Sequence, residues 1–438
     1  MDDSAFSTSE VDINTQTILL YASNHDLGSL KPLLRIPGNA TVQDPETGYT
    51  PLHAAIAACG PTSTSSNAAS TVTGDVERSP REGGAVGEAD AEAVDIQKAA
   101  AVVKEIFISG AIWNDLDANN ETPGCLAWRL GRKELYEMCV EAGVRAEILL
   151  GLMGKYEALG SDSEEDEEGE EEEAAEETKE IDKGAEANRT INDCDAEKER
   201  EKRDVNSEDY LRSTLTFDDD KLLDADRNGI MMAWETDIMR RSVDALLPPP
   251  SSPGNRILNI GFGMGIIDRM LASTKPLTHH IIEAHPAVLS KLQSAASDFG
   301  PTWESSAPEG GSYKVHAGKW QDILPTLLTD GLVFDAIYFD TFGEDYSALK
   351  DFFTEYVPGL LDSEGRFGFF NGLGADRRVC YDVYTRVVEC DLADAGLDVE
   401  WEAIDVPALG GEGEGEWEGV RRRYWTLDRY QLPVCKFL

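Results

Sequence analysis

The stretch RILNIGFGMGII, Arg256 to Ile267, decides how this chain is read. An apolar strand runs into Gly261, Gly263 and Gly265 at alternate positions and then resumes as an apolar helix. Glycine lets the backbone turn sharply after the strand and approach a ligand closely, while the start of the next helix offers unpaired N–H donors. A tight strand-to-helix connection without a ligand would use the same residues. Ile266 stands where a dinucleotide fingerprint carries a third glycine or alanine, which weakens an NAD reading. Eighteen residues after Gly265, Glu283 closes the apolar segment HHIIEAH. A carboxylate there can take both hydroxyls of a ribose, so GxGxG with this acid points to S-adenosylmethionine (SAM) as cofactor.

Working outward, Asn206 to the C-terminus alternates strand and helix signals. The strands are RILNIG, HHIIEA, YKVHAG, FDAIYFD and GRFGFFN; the helices between and after them are IIDRMLAS, AVLSKLQSAASDF, DILPTLLT, ALKDFFTEYVPGLL and YDVYTRVVECDLADAG. Such alternation predicts a parallel sheet with helices on both faces. Two later extended segments, DVEWEAIDV and RRRYWTLDRYQLPVCKF, add a final hairpin. The expected fold is therefore α/β, a seven-stranded Rossmann-like SAM-dependent methyltransferase domain over residues 206–438, with ligands at the C-terminal ends of the strands.

Before it, residues 1–156 read as short amphipathic helices. GYTPLHAAI, Gly48 to Ile56, matches the ankyrin signature, and ANNETPGCLAWRLGRKELYEMCVEAG repeats it more loosely. Each such unit is a turn and two antiparallel helices that need a neighbour. The expectation is a small all-α ankyrin-like domain, interrupted by a low-complexity insertion at about 60–92. Residues 157–205 form an acidic segment, densest between Asp162 and Glu177, that repels itself and lacks apolar surface to bury; a disordered linker is expected, or an acidic lure for a basic partner.

The net charge of -44 over 438 residues disfavours direct nucleic-acid binding, since the one compact cationic run is Arg421, Arg422 and Arg423. Seven cysteines without a CxxC pair indicate neither a disulfide framework nor a four-cysteine zinc site. The acidic N-terminus lacks the marks of a signal peptide, and no apolar run approaches the roughly 18 residues a membrane span requires. A protein of the cytoplasm and nucleus, not bound to membranes and monomeric, is expected.

Three further segments carry chemistry. AGKWQDILP, Ala317 to Pro325, ends the third strand, where Trp320 can cover an adenine face and Gln321 or Asp322 can bond its amino group; a core tryptophan followed by a helix cap is the alternative. FDAIYFDTF ends its strand in Asp340, either a helix cap or a ligand to substrate. Asp224 to Glu235, DADRNGIMMAWE, fits a calcium loop of the EF-hand type, but it stands alone and abuts the methyltransferase core. No metal is expected.

Taken together, GIMMAWETDIM (Gly229 to Met239), ILNIGFGMGI, HIIEAH, GKWQDILP, FDAIYFDTF and RRYWTLDRYQLP resemble the fungal-type protein arginine N-methyltransferase 2 family and, more distantly, guanidinoacetate N-methyltransferase. The likeness spans Tyr210 to the C-terminus. It implies that Tyr210, Met231 and Met239 line the methionine or adenine side of SAM, and that Gly261, Phe262, Gly263, Met264, Gly265 and Ile266 hold its amino-acid moiety. Glu283, Ala284 and His285 would serve the ribose, Trp320 and Gln321 the adenine, and Asp340 would border the cofactor. The guanidinoacetate enzyme has an acid where this chain has Gln321.

In those relatives two carboxylates grip a guanidino group, and the matching positions here are Glu235 and Asp340. A guanidinium presents a planar fork of donors suited to such a pair. If the two acids hold the terminal nitrogens, the internal, δ nitrogen faces the methyl group. The resemblance thus implies SAM-dependent δ-N-methylation of arginine in a basic protein substrate, a ribosomal protein of the large subunit. A side chain at Gly263 would be expected to fill cofactor space. The other readings are a small-molecule guanidino methyltransferase, and a non-catalytic ankyrin-type docking protein with a SAM-sensing domain.

Overall fold

The computed structural model of the chain describes residues 7–62, 85–160, 207–218, 220–248, 254–294 and 297–438. Among the described residues the N-terminal part is helical: α1 (Ser7–Ser23), α2 (Leu27–Leu34), α3 (Pro51–Ala57), α4 (Ala85–Ile108), α5 (Pro123–Arg129) and α6 (Lys133–Gly160). Helices α3 and α5 start the same way. In each a threonine, Thr50 or Thr122, caps the third helical N–H and is followed by a proline that has no N–H to lose. His53 joins the two turns: its Nδ1 accepts the Thr50 N–H, so its Nε2 carries the proton and donates to the Glu121 carbonyl at 3.0 Å. Of the insertion expected at 60–92, residues 63–84 lie outside the described residues, and α4 begins within that span. The acidic linker expected over 157–205 likewise lies outside the described residues from 161 on.

Next come α7 (Ser207–Arg212) and a three-stranded antiparallel sheet, β1 (Thr216–Phe217), β2 (Lys221–Leu223) and β3 (Gly229–Met232), none of which the sequence reading separated. The calcium-like motif lies here, and it builds a tight turn between β2 and β3. Asp224 accepts both the backbone N–H and the side-chain amide of Asn228, and Arg227 takes a positive φ of 64°. The twelfth residue, Glu235, is buried and bonded elsewhere. Among the described residues no group of three or more His, Cys, Asp or Glu could hold a metal ion.

After α8 (Thr236–Leu246), the chain lays down β4 (Arg256–Ile260), α9 (Ile266–Ser273), β5 (Thr278–Glu283), α10 (Pro286–Leu292), β6 (Ser312–Ala317), α11 (Trp320–Thr329), β7 (Phe334–Phe339), α12 (Tyr346–Asp351), β8 (Leu361–Phe369), α13 (Arg378–Asp394), β9 (Leu397–Asp405) and β10 (Arg429–Phe437). The sheet order is β6-β5-β4-β7-β8-β10-β9. The first five strands are parallel, and β10 inserts antiparallel between β8 and β9. The chain reverses direction across the sheet at β4, which puts the glycine turn at the topological switch point where α/β sheets bind ligands. The helix read at Ala287 to Phe299 stops at Leu292, and Phe299 turns back into the core against Phe262. The helix read through Ala348 to Leu361 is interrupted by a π turn at Phe352–Tyr356, in which the adjacent Phe352 and Phe353 are both buried in the core.

The N-terminal helices do not end in a free face. Val379, Cys380, Val383 and Val387 of α13 belong to the same core as Leu126, Leu135, Cys139 and Val140 of α5 and α6. Asp382 accepts a hydrogen bond from the Tyr136 hydroxyl, and Arg386 pairs with Glu137 at 2.8 Å.

Candidate active site

The glycine turn is held from both sides of the sheet. Gly261 N–H donates to the Ile282 carbonyl and Asp340 N–H to the Ile260 carbonyl, each at 2.9 Å, so the ends of β4, β5 and β7 are stitched together. Gly261, Gly263 and Gly265 all have positive φ, at 92°, 55° and 70°. At Gly261 the requirement is also steric: an added Cβ would lie 1.9 Å from the carbonyl oxygen of Asp340. Below the turn, Asn259 donates to the Gly261 carbonyl and to Asp268, and Asp268 is bonded to His279 at 3.0 Å with both side chains fully buried.

Glu283 holds the turn from above. Its carboxylate accepts the backbone N–H groups of Phe262 at 3.0 Å, Gly263 at 3.3 Å and His285 at 2.6 Å. Burial pushes this carboxyl up, and the backbone donors act against that. Carboxylate oxygens have about four acceptor directions, so three backbone donors leave capacity for a hydroxyl.

Tyr210, Met231, Gly261, Gly263, Glu283, Ala284, Trp320, Gln321 and Asp340 line one cleft of about 630 Å³, partly open to solvent. The remaining anticipated cofactor residues lie behind that lining. Phe262 packs under Gly265; Met264 donates its N–H to the Met231 sulfur at 3.2 Å; Ile266 begins α9. His285 caps α10 through Nδ1, which leaves Nε2 to donate to the Tyr210 carbonyl at 3.0 Å, and its ring lies 4.7 Å from that of Tyr210. Met239 is fully buried in the apolar cluster that includes Met231. Asp322 is exposed and outside the lining. The cleft suits SAM: a backbone stripped of Cβ atoms for close approach, a buried carboxylate with unused acceptor capacity, and apolar walls from Met231 and Trp320.

A second cavity of about 850 Å³ adjoins the first, and the two share Ile230, Asp340, Thr341, Phe342 and Glu344. Glu235 lies in its wall. One Glu235 oxygen accepts the hydroxyl of Tyr424, and the other faces the Met232 N–H at 3.4 Å. Burial first, and then the charge of Asp340, push the Glu235 carboxyl up to about 8. Burial pushes Asp340 up to about 7, although this residue keeps some surface open to both cavities. Two acids that resist ionising side by side make a site that a flat cation would relieve.

Sequence reasoning missed Tyr424 and Glu344. Tyr424 falls inside the quoted C-terminal run, but no spacing relates it to Glu235, 189 residues away. Glu344 follows FDTF and carries no motif. It accepts from Trp320 Nε1, Gln321 Nε2 and Thr341 Oγ1 at 3.1, 2.9 and 2.5 Å.

Comparison with known proteins bears on this geometry. Residues 207–373 match the family model described as guanidinoacetate N-methyltransferase. Over 98% of its length the chain is 56% identical to protein arginine N-methyltransferase 2 of Gibberella zeae, covering 94% of that protein. It is 55% identical to the protein of the same name in Neurospora crassa over 97% of this chain and 95% of that one. Among solved structures, spermidine synthase from Thermotoga maritima is similar at 11% identity and a TM-score of 0.33, covering 51% of this chain and 72% of that one.

Proposed function

The chain belongs to the protein arginine N-methyltransferase 2 family and is a SAM-dependent methyltransferase, and from that premise we propose that it methylates the internal δ nitrogen of an arginine in a protein. The observation that supports this reading is the pairing of Glu235 and Asp340 across a cavity that opens onto the cofactor cleft through Asp340. A guanidinium seated between them donates through its terminal nitrogens to both acids. Its internal nitrogen is then the atom directed to the cofactor cleft.

When bound, SAM supplies an electrophilic methyl group on a sulfonium. The chain's part is to orient and to manage charge. A guanidinium has a pKa above ~12 and its internal lone pair is delocalised, so the nitrogen must lose a proton and be held in line. Asp340, common to both cavities, is placed to take that proton at its carboxylate. As the new N–C bond forms and the S–C bond breaks, Asp340 keeps the proton it has taken and the ionised Glu235 balances the positive charge on the methylated group. Tyr424 keeps Glu235 aimed by donating to it, and the walls from Phe370 and Leu373 limit water.

The substrate we propose is a basic protein, a ribosomal protein of the large subunit, met in the cytoplasm and nucleus by a monomeric enzyme. The two Thr-Pro capped helices α3 and α5, tied by His53, support reading the N-terminal helices as ankyrin-like. The test is incubation with methyl-labelled SAM and cell extract, followed by mass spectrometry that separates internal from terminal methylation. Glu235→Gln and Asp340→Asn should retain SAM binding and lose turnover by about 100-fold or more. A methyl group on a terminal nitrogen, or normal turnover in both variants, refutes the assignment. Free guanidinoacetate as an equally good acceptor would favour a small-molecule enzyme instead.

A further inference from the structure

We infer that Glu344 is a positioning residue that fixes the side-chain amide of Gln321 with its oxygen available to the cofactor cleft, so that the site reads the amino group of adenine. The inference rests on the placement of the adenine beside Trp320 and Gln321. It answers what the sequence left open, namely how an amide serves where the guanidinoacetate enzyme has an acid.

An isolated glutamine at a solvent-exposed position does not choose between donor and acceptor. Its amide oxygen and nitrogen are nearly the same size, and a half-turn of the terminal torsion exchanges them. Gln321 is exposed at the rim of the cleft. Its Nε2, however, donates to Glu344 Oε1 at 2.9 Å. An ionised carboxylate only accepts, so the flipped amide would set oxygen against oxygen.

Glu344 is itself held by two further side chains, of which the indole has a fixed donor direction. The indole Nε1 of Trp320 can only donate, and it lies 3.1 Å from each oxygen of Glu344. The Thr341 hydroxyl donates at 2.5 Å. Trp320 is buried at 5% exposure, so its indole is a rigid anchor for the group. A carboxylate held in this way fixes the polarity of the amide: Nε2 is turned to Glu344, and Oε1 is the acceptor that Gln321 offers a ligand. An acceptor at that place fits the N–H of a 6-amino purine and opposes the carbonyl of a 6-oxo purine. Thr341 adjoins Asp340, so the same carboxylate also ties the adenine end of the cleft to the strand end carrying the proposed catalytic acid.

The test is calorimetric binding of S-adenosylhomocysteine and S-inosylhomocysteine, which differ at the purine 6-position, to the full-length protein and its variants. The wild type should favour the adenosyl ligand by about tenfold or more, because a site built to accept a hydrogen bond rejects a ligand without the donor. In Glu344→Gln both orientations of Gln321 can be satisfied, and the preference should collapse to within about twofold. The exchange Gln321→Glu with Glu344→Gln should restore it, since the amide introduced at position 344 then donates to the carboxylate introduced at position 321, whose second oxygen still accepts. Full preference in Glu344→Gln, or equal weakening of both ligands with no rescue by the exchange, overturns the role of Glu344. Gln321→Leu separates the premise: unchanged preference there would show that the adenine is not read at this residue at all.

Discussion

Glu235 and Asp340 set the character of the site through their shared reluctance to ionise. Glu235 is 3% exposed, and its neighbours are a phenol, a backbone N–H and another acid. In the unfolded chain such a carboxyl titrates near 4.5, while in the fold it is pushed up to about 8. The folded state therefore holds the proton more tightly. Its stabilising contribution is complete below about pH 4.5 and is lost as the pH rises through 8. For a coupled, buried acid this is worth roughly 5 kcal/mol at most. Without substrate, the protein should thus lose thermal stability between pH 5 and 8, and Glu235→Gln, which cannot ionise, should lose less. Parallel melting curves against pH for the two proteins would show that Glu235 ionises freely. The same reasoning gives a pH dependence of turnover: a guanidinium needs both acids ionised, so kcat/KM should rise with pH through the neutral range.

At the scale of elements, the approach of the β4 and β7 ends governs where Asp340 sits. Alanine at Gly261 would place its Cβ 1.9 Å from the Asp340 carbonyl, at a φ of 92° that side chains rarely adopt. Backbone cannot yield as a flexible side chain can. Gly261→Ala should displace Asp340 by about 1 Å and cost turnover about 100-fold, measurable as kcat at saturating SAM; an active variant would show that this contact is slack. Gly263 lines the cofactor cleft at a φ of 55°, and a Cβ there would meet the end of Met231, another lining residue, at 2.7 Å. Strands β4, β5 and β7 were readable because each carries an apolar run closed by glycine or acid, and Glu283 and Asp340 were readable because each closes such a run. The sheet of β1, β2 and β3 was not, because strands of two to four residues leave no periodicity. Its turn uses the Asp224 and Asn228 side chains that a calcium loop would use, and there the Asp224 carboxylate accepts the backbone N–H and the side-chain amide of Asn228. Tyr424 and Glu344 reach the site across long separations that no local pattern encodes.

At the scale of the whole molecule, the helical N-terminal part is joined to the methyltransferase by a core, and that core connects to the cavity holding Glu235. Tyr381, on the α13 helix that the N-terminal helices pack against, bonds through its hydroxyl to the Asn371 amide at 3.1 Å and to Gln431 N–H at 2.8 Å. Asn371 is buried and sits between Phe370 and Gly372, which line the cavity holding Glu235. The joint depends on close approach: a Cβ at Gly143 of α6 would lie 2.6 Å from Val383 Cγ2 and 2.9 Å from the Trp113 ring. Helix propensity alone makes Gly→Ala inside a helix stabilising by about 1 kcal/mol, whereas overpacking a filled core costs about 1–3 kcal/mol. The two effects have opposite signs, so the variant decides between a tight joint and loose contact. Gly143→Ala should lower the melting temperature of the full-length protein, and adding Val383→Ala should recover part of the loss, since the two residues compete for one space. KM for the protein substrate should rise in Gly143→Ala while SAM affinity holds, because the disturbance reaches the cavity through Tyr381 and Asn371 rather than through the glycine turn. A stabilised Gly143→Ala protein with unchanged KM would mean that the two parts fold side by side without mechanical connection.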